Sequence, residues 1–396
     1  MNRHAIFTLN AGSSSIKFAA FCNDDGVLTL LAQGGVEERG EDEVHFIAHD
    51  AQGVMLAEKI WQGQDHFYDS AFGAIVEFWR AQFAAVEVVA CGHRVVHGGV
   101  LFVDTVEITD AVFAKIESLV ELAPLHQPHN LEGINAARKF FPAARQIACF
   151  DTAFHHTNPL IQQLFALPRH FYDEGVRHYG FHGISYEFVS GELARLAPEI
   201  AQGRVVMAHL GNGASLCAME HGKSVTTTMG FTALDGLPMG TRCGRVDAGV
   251  VLYFLQSRGM NAKVISDLLY KKSGLLGISG ISADMRTLEQ SDAPGAHEAI
   301  DYFVAHLRRE IGGMAATLGG LDAVVFCGGI GEHSVRVRKE TLLGLGFLGI
   351  EVDEVANSES GTVISKASTR VKVMVIPTNE ELMIARHVQA FGVPST

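Results

Sequence analysis

Two short segments of the sequence combine strand-forming residues with turns that suit phosphate binding. Residues 7–15 read Phe-Thr-Leu-Asn-Ala-Gly-Ser-Ser-Ser, and residues 206–215 read Val-Met-Ala-His-Leu-Gly-Asn-Gly-Ala-Ser. In both, an apolar strand leads into a small polar turn and a second apolar strand follows. Such a turn exposes successive backbone N–H groups and hydroxyls, which can hold a phosphate. The segments lie about half the chain apart, which favours a duplicated domain that binds one nucleotide; two ordinary glycine-containing hairpins are the alternative.

Two charged residues stand at or near the ends of apolar runs. Asp151 follows residues 146–150, which have the pattern of a buried strand. Open α/β sheets place functional groups at the carboxyl ends of their strands. Arg94 follows another apolar run and Gly92, a position from which side chains open into clefts, although a surface salt bridge would also explain an arginine there.

Short β-forming runs alternate with longer segments of helical period. The predicted strands are residues 6–9, 16–21, 86–91, 146–150, 205–210, 323–327 and 371–376. The predicted helices are residues 69–82, 111–121, 131–140, 185–196, 248–256, 295–318, 335–343 and 380–391. This alternation predicts an α/β chain with both parallel and antiparallel strands.

Composition excludes several classes of protein. The 396 residues are 47% hydrophobic, enough for a large core and more than one domain. A formal charge of -13 argues against nucleic acid and membrane partners. No signal peptide or apolar stretch of about 18 residues is found, so we expect a soluble cytoplasmic protein. The six cysteines are scattered singly, which predicts buried free thiols rather than zinc or redox chemistry.

Two apparent nucleotide motifs fail on inspection. Gly222-Lys223-Ser224 lacks the glycine that a P-loop requires five residues before its second glycine. Residues 344–349 match the letters of a dinucleotide fingerprint, but a helical segment precedes them and an extended one follows. We interpret these residues as a helix terminus.

Further segments give a resemblance to a known family. Asn-Ala-Gly-Ser-Ser-Ser-Ile-Lys at residues 10–17 and His-Leu-Gly-Asn-Gly-Ala-Ser at residues 209–215 resemble the paired signatures of the acetate kinase family, within the superfamily of acetate and sugar kinases, Hsp70 and actin. More family-like blocks follow in matching order: residues 92–99, 122–126, 150–155, 179–183, 239–242, 284–286, 328–332 and 377–381. They span nearly the whole chain.

The resemblance implies an α/β fold of two duplicated actin-like (ribonuclease H-like) domains with a nucleotide cleft between them. The first domain would comprise residues 1–150 and 384–396, and the second, residues 151–383, would carry the nucleotide and the dimer surface of a homodimer. The implied activity is reversible, direct in-line transfer of the ATP γ-phosphoryl group to acetate, giving acetyl phosphate and ADP. A carboxylate is already an anion near pH 7, so the site needs cations rather than a strong base.

The resemblance also implies roles for individual residues. The implied catalytic residues are Asp151, His182, Arg242 and Arg94. Here His182 would donate a hydrogen bond to the phosphoryl group, and Asp151 would orient an arginine or the metal shell. The implied acyl-side residues are Arg94, Val96, Leu125, His126, Phe181 and Ala233. At position 233 the family commonly has proline, and His126 and His209 also fit buried structural histidines.

The implied nucleotide contacts are Lys17, Ser13, Ser15, His209, Leu210, Gly211, Asn212, Gly213, Asp284, Met285, Arg286, Gly329, Ile330, Gly331, Glu332 and His333. His333 replaces a usual asparagine, which leaves the purine preference open. Mg²⁺, for which Mn²⁺ can substitute, would be served by Asn10 and Glu381. Glu381 also fits a capping box in the Thr378-Asn-Glu-Glu381 run, in which it would only close a helix start.

The sequence leaves three alternatives open. A propionate or other short-chain acyl kinase would have the same build. An ATP-driven switch of the actin or Hsp70 kind belongs to a different class, and a third alternative is a kinase that uses pyrophosphate or another phosphoryl donor.

Overall fold

The computed structural model describes residues 3–12, 15–24, 26–39, 43–62 and 67–393. The chain divides into two compact units, which are described separately. Unit 1 comprises Met1–Ala153 and Asn379–Thr396, and unit 2 comprises Phe154–Thr378.

The described residues form strands and helices in alternation. The strands are β1 (Arg3–Ala11), β2 (Ser15–Asp24), β3 (Val27–Arg39), β4 (Glu43–His49), β5 (Met55–Gln62), β6 (Val86–Val95), β7 (Val106–Glu107), β8 (Arg145–Phe150), β9 (Arg204–Leu210), β10 (Ala214–Glu220), β11 (Lys223–Thr227), β12 (Ala323–Cys327) and β13 (Lys372–Val375). The α-helices are α1 (Phe67–Gln82), α2 (Asp110–Glu117), α3 (Gln127–Phe140), α4 (Leu160–Gln163), α5 (Arg169–Asp173), α6 (Gly183–Leu196), α7 (Pro198–Ala201), α8 (Ala248–Gln256), α9 (Ala262–Lys271), α10 (Gly274–Ser279), α11 (Met285–Glu289), α12 (Pro294–Thr317), α13 (Gly328–His333), α14 (Val335–Leu343), α15 (Glu354–Ser358) and α16 (Glu380–Ala390). Short 3₁₀ turns cover Val120–Leu122, Ala153–Thr157 and Gly346–Leu348.

Unit 1 is built on a sheet whose described strands run in the order β5-β4-β3-β2-β1-β6-β8-β7. β1 and β2 form an antiparallel hairpin, whereas β1, β6 and β8 are parallel. One face packs on α1 through an aromatic cluster that includes Phe7, Phe18 and Trp79. α16 packs on β1 and β6, and it does so closely at Gly92, where a Cβ would lie 2.5 Å from the Ile384 side chain. This contact brings the start of α16 to the sheet.

Unit 2 is built on a sheet whose described strands run in the order β11-β10-β9-β12-β13. β9 and β10 form an antiparallel hairpin, and β9, β12 and β13 are parallel. The long helix α12 buries one apolar stripe, including Phe303, Leu307 and Ile311, and packs on β9 and β10. Since parallel strands are buried on both faces, β9 and β12 are apolar over nearly their whole length.

The two sheets share one pattern of pairing. In unit 1 the run β3-β2-β1 is antiparallel and continues into the parallel strands β6 and β8. In unit 2 the run β11-β10-β9 is antiparallel and continues into the parallel strands β12 and β13. The repetition predicted from the two phosphate-type hairpins is therefore present in the topology.

Several expectations from the sequence are confirmed and two need correction. Helices 248–256 and 335–343 have the predicted bounds, and residues 344–349 do follow a helix end. The strands at 27–62 were not predicted. Five cysteines are buried free thiols, but Cys243 is only half-buried because it lies in an irregular loop after Arg242. Among the described residues, no helix is both long enough and apolar enough to cross a membrane.

Candidate active site

Three predicted site residues of unit 1 lie at one edge of its sheet. Asn10 is near the end of β1, Arg94 is near the end of β6, and Asp151 directly follows β8. Because these strands are parallel neighbours, their carboxyl ends meet at the same edge. The structure thus confirms the prediction that Arg94 and Asp151 lie at the ends of strands.

Arg94 is the centre of this group. Its Nε donates to Asp151 Oδ1 at 3.0 Å and its Nη2 to Asp151 Oδ2 at 2.5 Å, a bidentate pair. Its Nη1 donates to Asn10 Oδ1 at 3.1 Å, and Glu380 Oε2 lies 3.7 Å from Nε. Burial would lower the pKa of Arg94, but the negative charges of Asp151, Glu380 and Glu381 outweigh this effect and raise the pKa. The guanidinium is therefore a fixed cation, and Asp151, 1% exposed, holds it in place.

The start of α16 corrects one sequence interpretation. Asn379, not Thr378, is the N-cap, and its side chain accepts a hydrogen bond from the backbone N–H of Leu382. The backbone N–H of Thr378 donates instead to Glu332 Oε1 at 3.2 Å. The capping-box interpretation of Glu381 is therefore wrong, because asparagine one residue later competes successfully for the cap.

Glu381 is instead part of a charged group with Lys17 and Arg94. Burial, and then the negative charge of Glu380, raises the pKa of Glu381, while the two cations oppose this shift. Lys17 on β2 lies directly across the hairpin from Asn10. A carboxyl whose pKa is raised in this way would be stabilised as the anion by a further cation. Glu380, beside Arg94, was missed by the sequence analysis although its run was noted.

The predicted acyl-side residues are divided between the units. In unit 1, Val96 is buried and its N–H donates to Asn130 Oδ1 at 3.0 Å. Leu125 is 37% exposed, and His126 immediately precedes α3. In unit 2, Phe181 is buried, and the carbonyl of Ala233 accepts a hydrogen bond from Arg242 Nη1 at 2.7 Å.

His182 stands at the start of α6 in unit 2. Its φ of 59° is left-handed, a conformation that L side chains seldom adopt and that is often found at functional sites. Gly180, at φ 84°, permits the preceding turn, because a Cβ there would lie 2.5 Å from the His155 ring. His155 also contacts the Phe181 carbonyl through Nε2 at 3.0 Å. A tight, buried turn therefore fixes the backbone of His182.

His182 and Arg242 both lie close to the turn between β9 and β10. A Cβ added to Gly213 would lie 3.0 Å from Arg242 Nη2 and 3.2 Å from His182 Nε2. The turn is closed by a hydrogen bond from the N–H of Gly211 to the carbonyl of Gly213 at 2.9 Å. A guanidinium and an imidazole that come this close to a glycine-rich turn form a suitable site for a phosphoryl group.

A cavity of about 380 Å³ adjoins this turn in unit 2. Its lining contains eight of the predicted nucleotide residues: Gly211, Asn212, Asp284, Met285, Arg286, Gly329, Ile330 and His333. Glu289 and Ser334 complete the lining and were not predicted. They are joined to each other by a hydrogen bond of 2.5 Å from Ser334 Oγ to Glu289 Oε1, for which the sequence gives no recognisable signal.

Other predicted nucleotide residues have different surroundings. Ser13 lies outside the described residues, and the carbonyl of Ser15 accepts a hydrogen bond from Gly12 in the first hairpin. Glu332 accepts hydrogen bonds from the backbone N–H groups of Gly328 and Thr378, so it ties α13 to the segment before α16. Gly331 and Leu210 are buried beside these elements.

The side-chain oxygens of Asn10 and Glu381 in unit 1 can supply only a few ligands to a metal ion. Asn10 and Glu381 offer a carbonyl and a carboxylate oxygen, the donors that Mg²⁺ prefers. In the described ranges, no group of three or more His, Cys, Asp and Glu side chains is arranged to hold a metal ion. The donors therefore fit a cation that keeps most of its water or phosphate ligands, as Mg²⁺ does with nucleotides.

Two solved structures are similar to this chain over nearly its whole length. The chain is 36% identical to an acetate kinase from Porphyromonas gingivalis, with a TM-score of 0.87 over 98% of this chain and 99% of that one. A propionate kinase from Francisella tularensis gives a TM-score of 0.89 at 36% identity and the same coverage. These matches define a two-domain actin-like α/β kinase that phosphorylates a carboxylate with ATP.

Two relatives have a higher sequence identity to this chain than these two structures have. The acetate kinase of Methylocella silvestris is 53% identical over 393 residues, which are 97% of each chain. That of Rhodopseudomonas palustris is 49% identical over 389 residues, also 97% of each chain. The acetokinase family model matches residues 5–386, and the chain belongs to this family.

Proposed function

We propose that this enzyme is an acetate kinase that reversibly transfers the γ-phosphoryl group of ATP to acetate, forming acetyl phosphate and ADP. The observation that carries the proposal is the approach of Arg242 and His182 to the glycine turn at Gly213, next to the cavity of unit 2. The family relationship identifies the acceptor as a carboxylate. The named relatives favour acetate over propionate as that carboxylate.

In this mechanism Arg94 attracts and orients the acetate carboxylate. The nucleophile is already ionised near pH 7, so no side chain has to remove a proton from it. Asp151 is accordingly a positioning residue, because both of its oxygens accept hydrogen bonds from Arg94. Its carboxylate keeps the guanidinium plane fixed and reduces the reorganisation needed during the reaction.

Arg242 and His182 act on the transferring phosphoryl group. Charge on its equatorial oxygens has to be stabilised while the attacking and leaving oxygens are in line. Arg242 supplies a cation whose Nη1 is anchored on the Ala233 carbonyl. His182, whose Nε2 approaches the same turn at Gly213, supplies a hydrogen bond. The nucleotide occupies the cavity lined by Asn212, Met285 and Ile330.

Mg²⁺ would be held by Asn10 and Glu381 together with phosphate oxygens and water, and Mn²⁺ can replace it. When bound, it neutralises phosphate charge and favours transfer. The raised pKa of Glu381 supports this assignment, because a carboxyl short of positive charge gains from a divalent cation.

We also propose that the enzyme is a cytoplasmic homodimer, with unit 2 carrying the dimer surface. The apolar helix α8 supports this, since none of its residues is buried and Leu252 and Tyr253 are exposed. Leu252→Glu should convert a dimer of 42.7 kDa chains to monomer in light scattering, whereas Leu343→Glu, at a leucine of α14 that is even more exposed, should not. A monomeric wild type would contradict the proposal.

A hydroxamate assay with several donors and acceptors tests the proposed reaction. ATP with acetate should give the highest kcat/KM, and pyrophosphate should not replace ATP. A preference for propionate would favour the acyl kinase alternative. Slow ATP hydrolysis without acyl phosphate would favour the actin or Hsp70 type of switch.

A further inference from the structure

Two stacked histidines in unit 2 are each held by a serine. The rings of His182 and His209 have centroids 4.2 Å apart and an interplanar angle of 27°. His182 Nδ1 lies 2.9 Å from Ser215 Oγ, and His209 Nδ1 lies 2.7 Å from Ser185 Oγ.

Each serine contacts a second hydroxyl group. Ser215 Oγ lies 2.6 Å from the phenol oxygen of Tyr186, and Ser185 Oγ lies 2.8 Å from Thr378 Oγ1. Tyr186 and Ser185 are neighbours in the first turn of α6, immediately after His182. One helix start therefore supplies a residue to both histidines.

The chemistry of Tyr186 sets the direction of the first chain of hydrogen bonds. Burial raises the pKa of this phenol well above its ordinary value, so it keeps its proton. Ser215 Oγ, 2.6 Å from the phenol oxygen, is placed to accept this proton. The phenol proton is then directed to Ser215, whose single proton is left for His182 Nδ1. A neutral imidazole that accepts at Nδ1 carries its proton on Nε2.

The Nε2 atoms of both rings face the same turn. His182 Nε2 lies 3.2 Å from a Cβ built on Gly213, and His209 Nε2 lies 4.0 Å from one built on Gly211. An Nε2–H on each ring would therefore give two donors on the two glycines of the phosphate-type hairpin.

We propose that the hydroxyl pairs Tyr186–Ser215 and Thr378–Ser185 are positioning groups that hold His182 and His209 in the Nε2–H tautomer. Both imidazoles then donate to oxygens of the bound phosphoryl group. The identity of that ligand rests on the proposed function; the tautomers do not. Neither hydroxyl pair touches the substrate, and each acts only through its histidine.

The test is ¹⁵N NMR of histidine side chains in the full-length protein at pH 8, without substrate. His182→Gln and His209→Gln assign the two signals. Both rings in wild type should show a protonated Nε2 and an unprotonated Nδ1. Ser215→Ala should give a mixture of tautomers at His182 alone, and Ser185→Ala a mixture at His209 alone. Tyr186→Phe should weaken the preference at His182 less than Ser215→Ala does.

Kinetics provide the second measurement. Ser215→Ala and Tyr186→Phe should lower kcat on the order of tenfold, with KM for acetate changed less than about twofold, because a donor is misdirected and acetate binding is unchanged. Tyr172→Phe is the matched control, since its hydroxyl contacts Gln163 Oε1 in the same unit. It should alter neither the tautomers nor kcat.

A protonated Nδ1 at His182 in wild type, or an unchanged tautomer in Ser215→Ala, would overturn the proposal. Failure of the proposed function looks different, because the tautomers would be as expected while wild type formed no acyl phosphate.

Discussion

Arg94 and Asp151 form a bidentate ion pair in which Nε–Oδ1 is 3.0 Å and Nη2–Oδ2 is 2.5 Å. The aspartate is almost completely buried, and the arginine also lies near Glu380. The pair links two strand ends, so it serves both the stability of unit 1 and the orientation of a cation at its sheet edge. These two roles can be separated by mutation.

Arg94→Ala should lower turnover about a hundredfold or more, because it removes a preoriented cation. It should also lower the free energy of unfolding by about 3–5 kcal/mol, since Asp151 is left buried without its partner. The double variant with Asp151→Ala should recover part of the stability but none of the activity. Recovery of activity, or full activity in Arg94→Ala, would show that this arginine does not act on the substrate.

Gly213→Ala should reduce kcat/KM strongly, on the order of a hundredfold, without unfolding the protein. The added methyl group would lie 3.0 Å from Arg242 Nη2 and 3.2 Å from His182 Nε2, where the phosphoryl group has to bind. Gly191→Ala in α6 is the control, since a Cβ there meets nothing within 4 Å. It should keep full activity and gain about 0.5–1 kcal/mol of stability. Equal activity of the two variants would show that the phosphoryl group does not bind at this turn.

Buried histidines should make the protein less stable as the pH falls below about 6.5. Burial lowers the pKa of His93 and of His155 to about 4 each, so between that value and the ordinary pKa of about 6.5 the unfolded chain binds more protons. Their contribution to stability is complete above pH 6.5 and is lost as the pH falls through the folded pKa, by up to about 1.4 kcal/mol per histidine per pH unit. Glu381, whose pKa is raised, opposes this trend.

The measurement is the melting temperature between pH 7.5 and pH 5. It should be level near pH 7 and fall below pH 6.5, and His155→Gln should fall less steeply than wild type because one titrating group is gone. Identical pH slopes in the two proteins would exclude a depressed pKa at His155.

The acyl length of the substrate tests the effect of Ala233, which is smaller than the proline that the family commonly has at this position. We expect propionate to be used within about tenfold of acetate in kcat/KM, because one methylene is worth about 0.8 kcal/mol when buried. Ala233→Pro should shift the preference back towards acetate while keeping the carbonyl that Arg242 contacts. An unchanged ratio in this variant would mean that position 233 does not set acyl length.

The sequence was sufficient to predict the elements that carry the site. Apolar runs that end directly before Asp151 and shortly before Arg94 predict strand ends there, and the two glycine turns predict the paired hairpins that both sheets contain. Such features are local, so a short stretch of sequence determines them. Strands at 27–62 were missed because they carry polar and glycine residues with no strict alternation.

The contacts around the site residues could not be predicted in the same way. Thr378 and Ser185 meet although 193 positions separate them in the sequence. The cap of α16 depended on competition between Thr378 and Asn379, which local propensity does not decide. Such contacts follow from tertiary packing, which a motif does not contain.

The most direct test of the central claim is ³¹P NMR of the enzyme with ATP, Mg²⁺ and acetate. We predict that acetyl phosphate and ADP appear in equal amounts as ATP is consumed, and that adding acetyl phosphate and ADP regenerates ATP. Conversion of ATP to ADP and inorganic phosphate, with no acetyl phosphate at any time, would contradict the assignment.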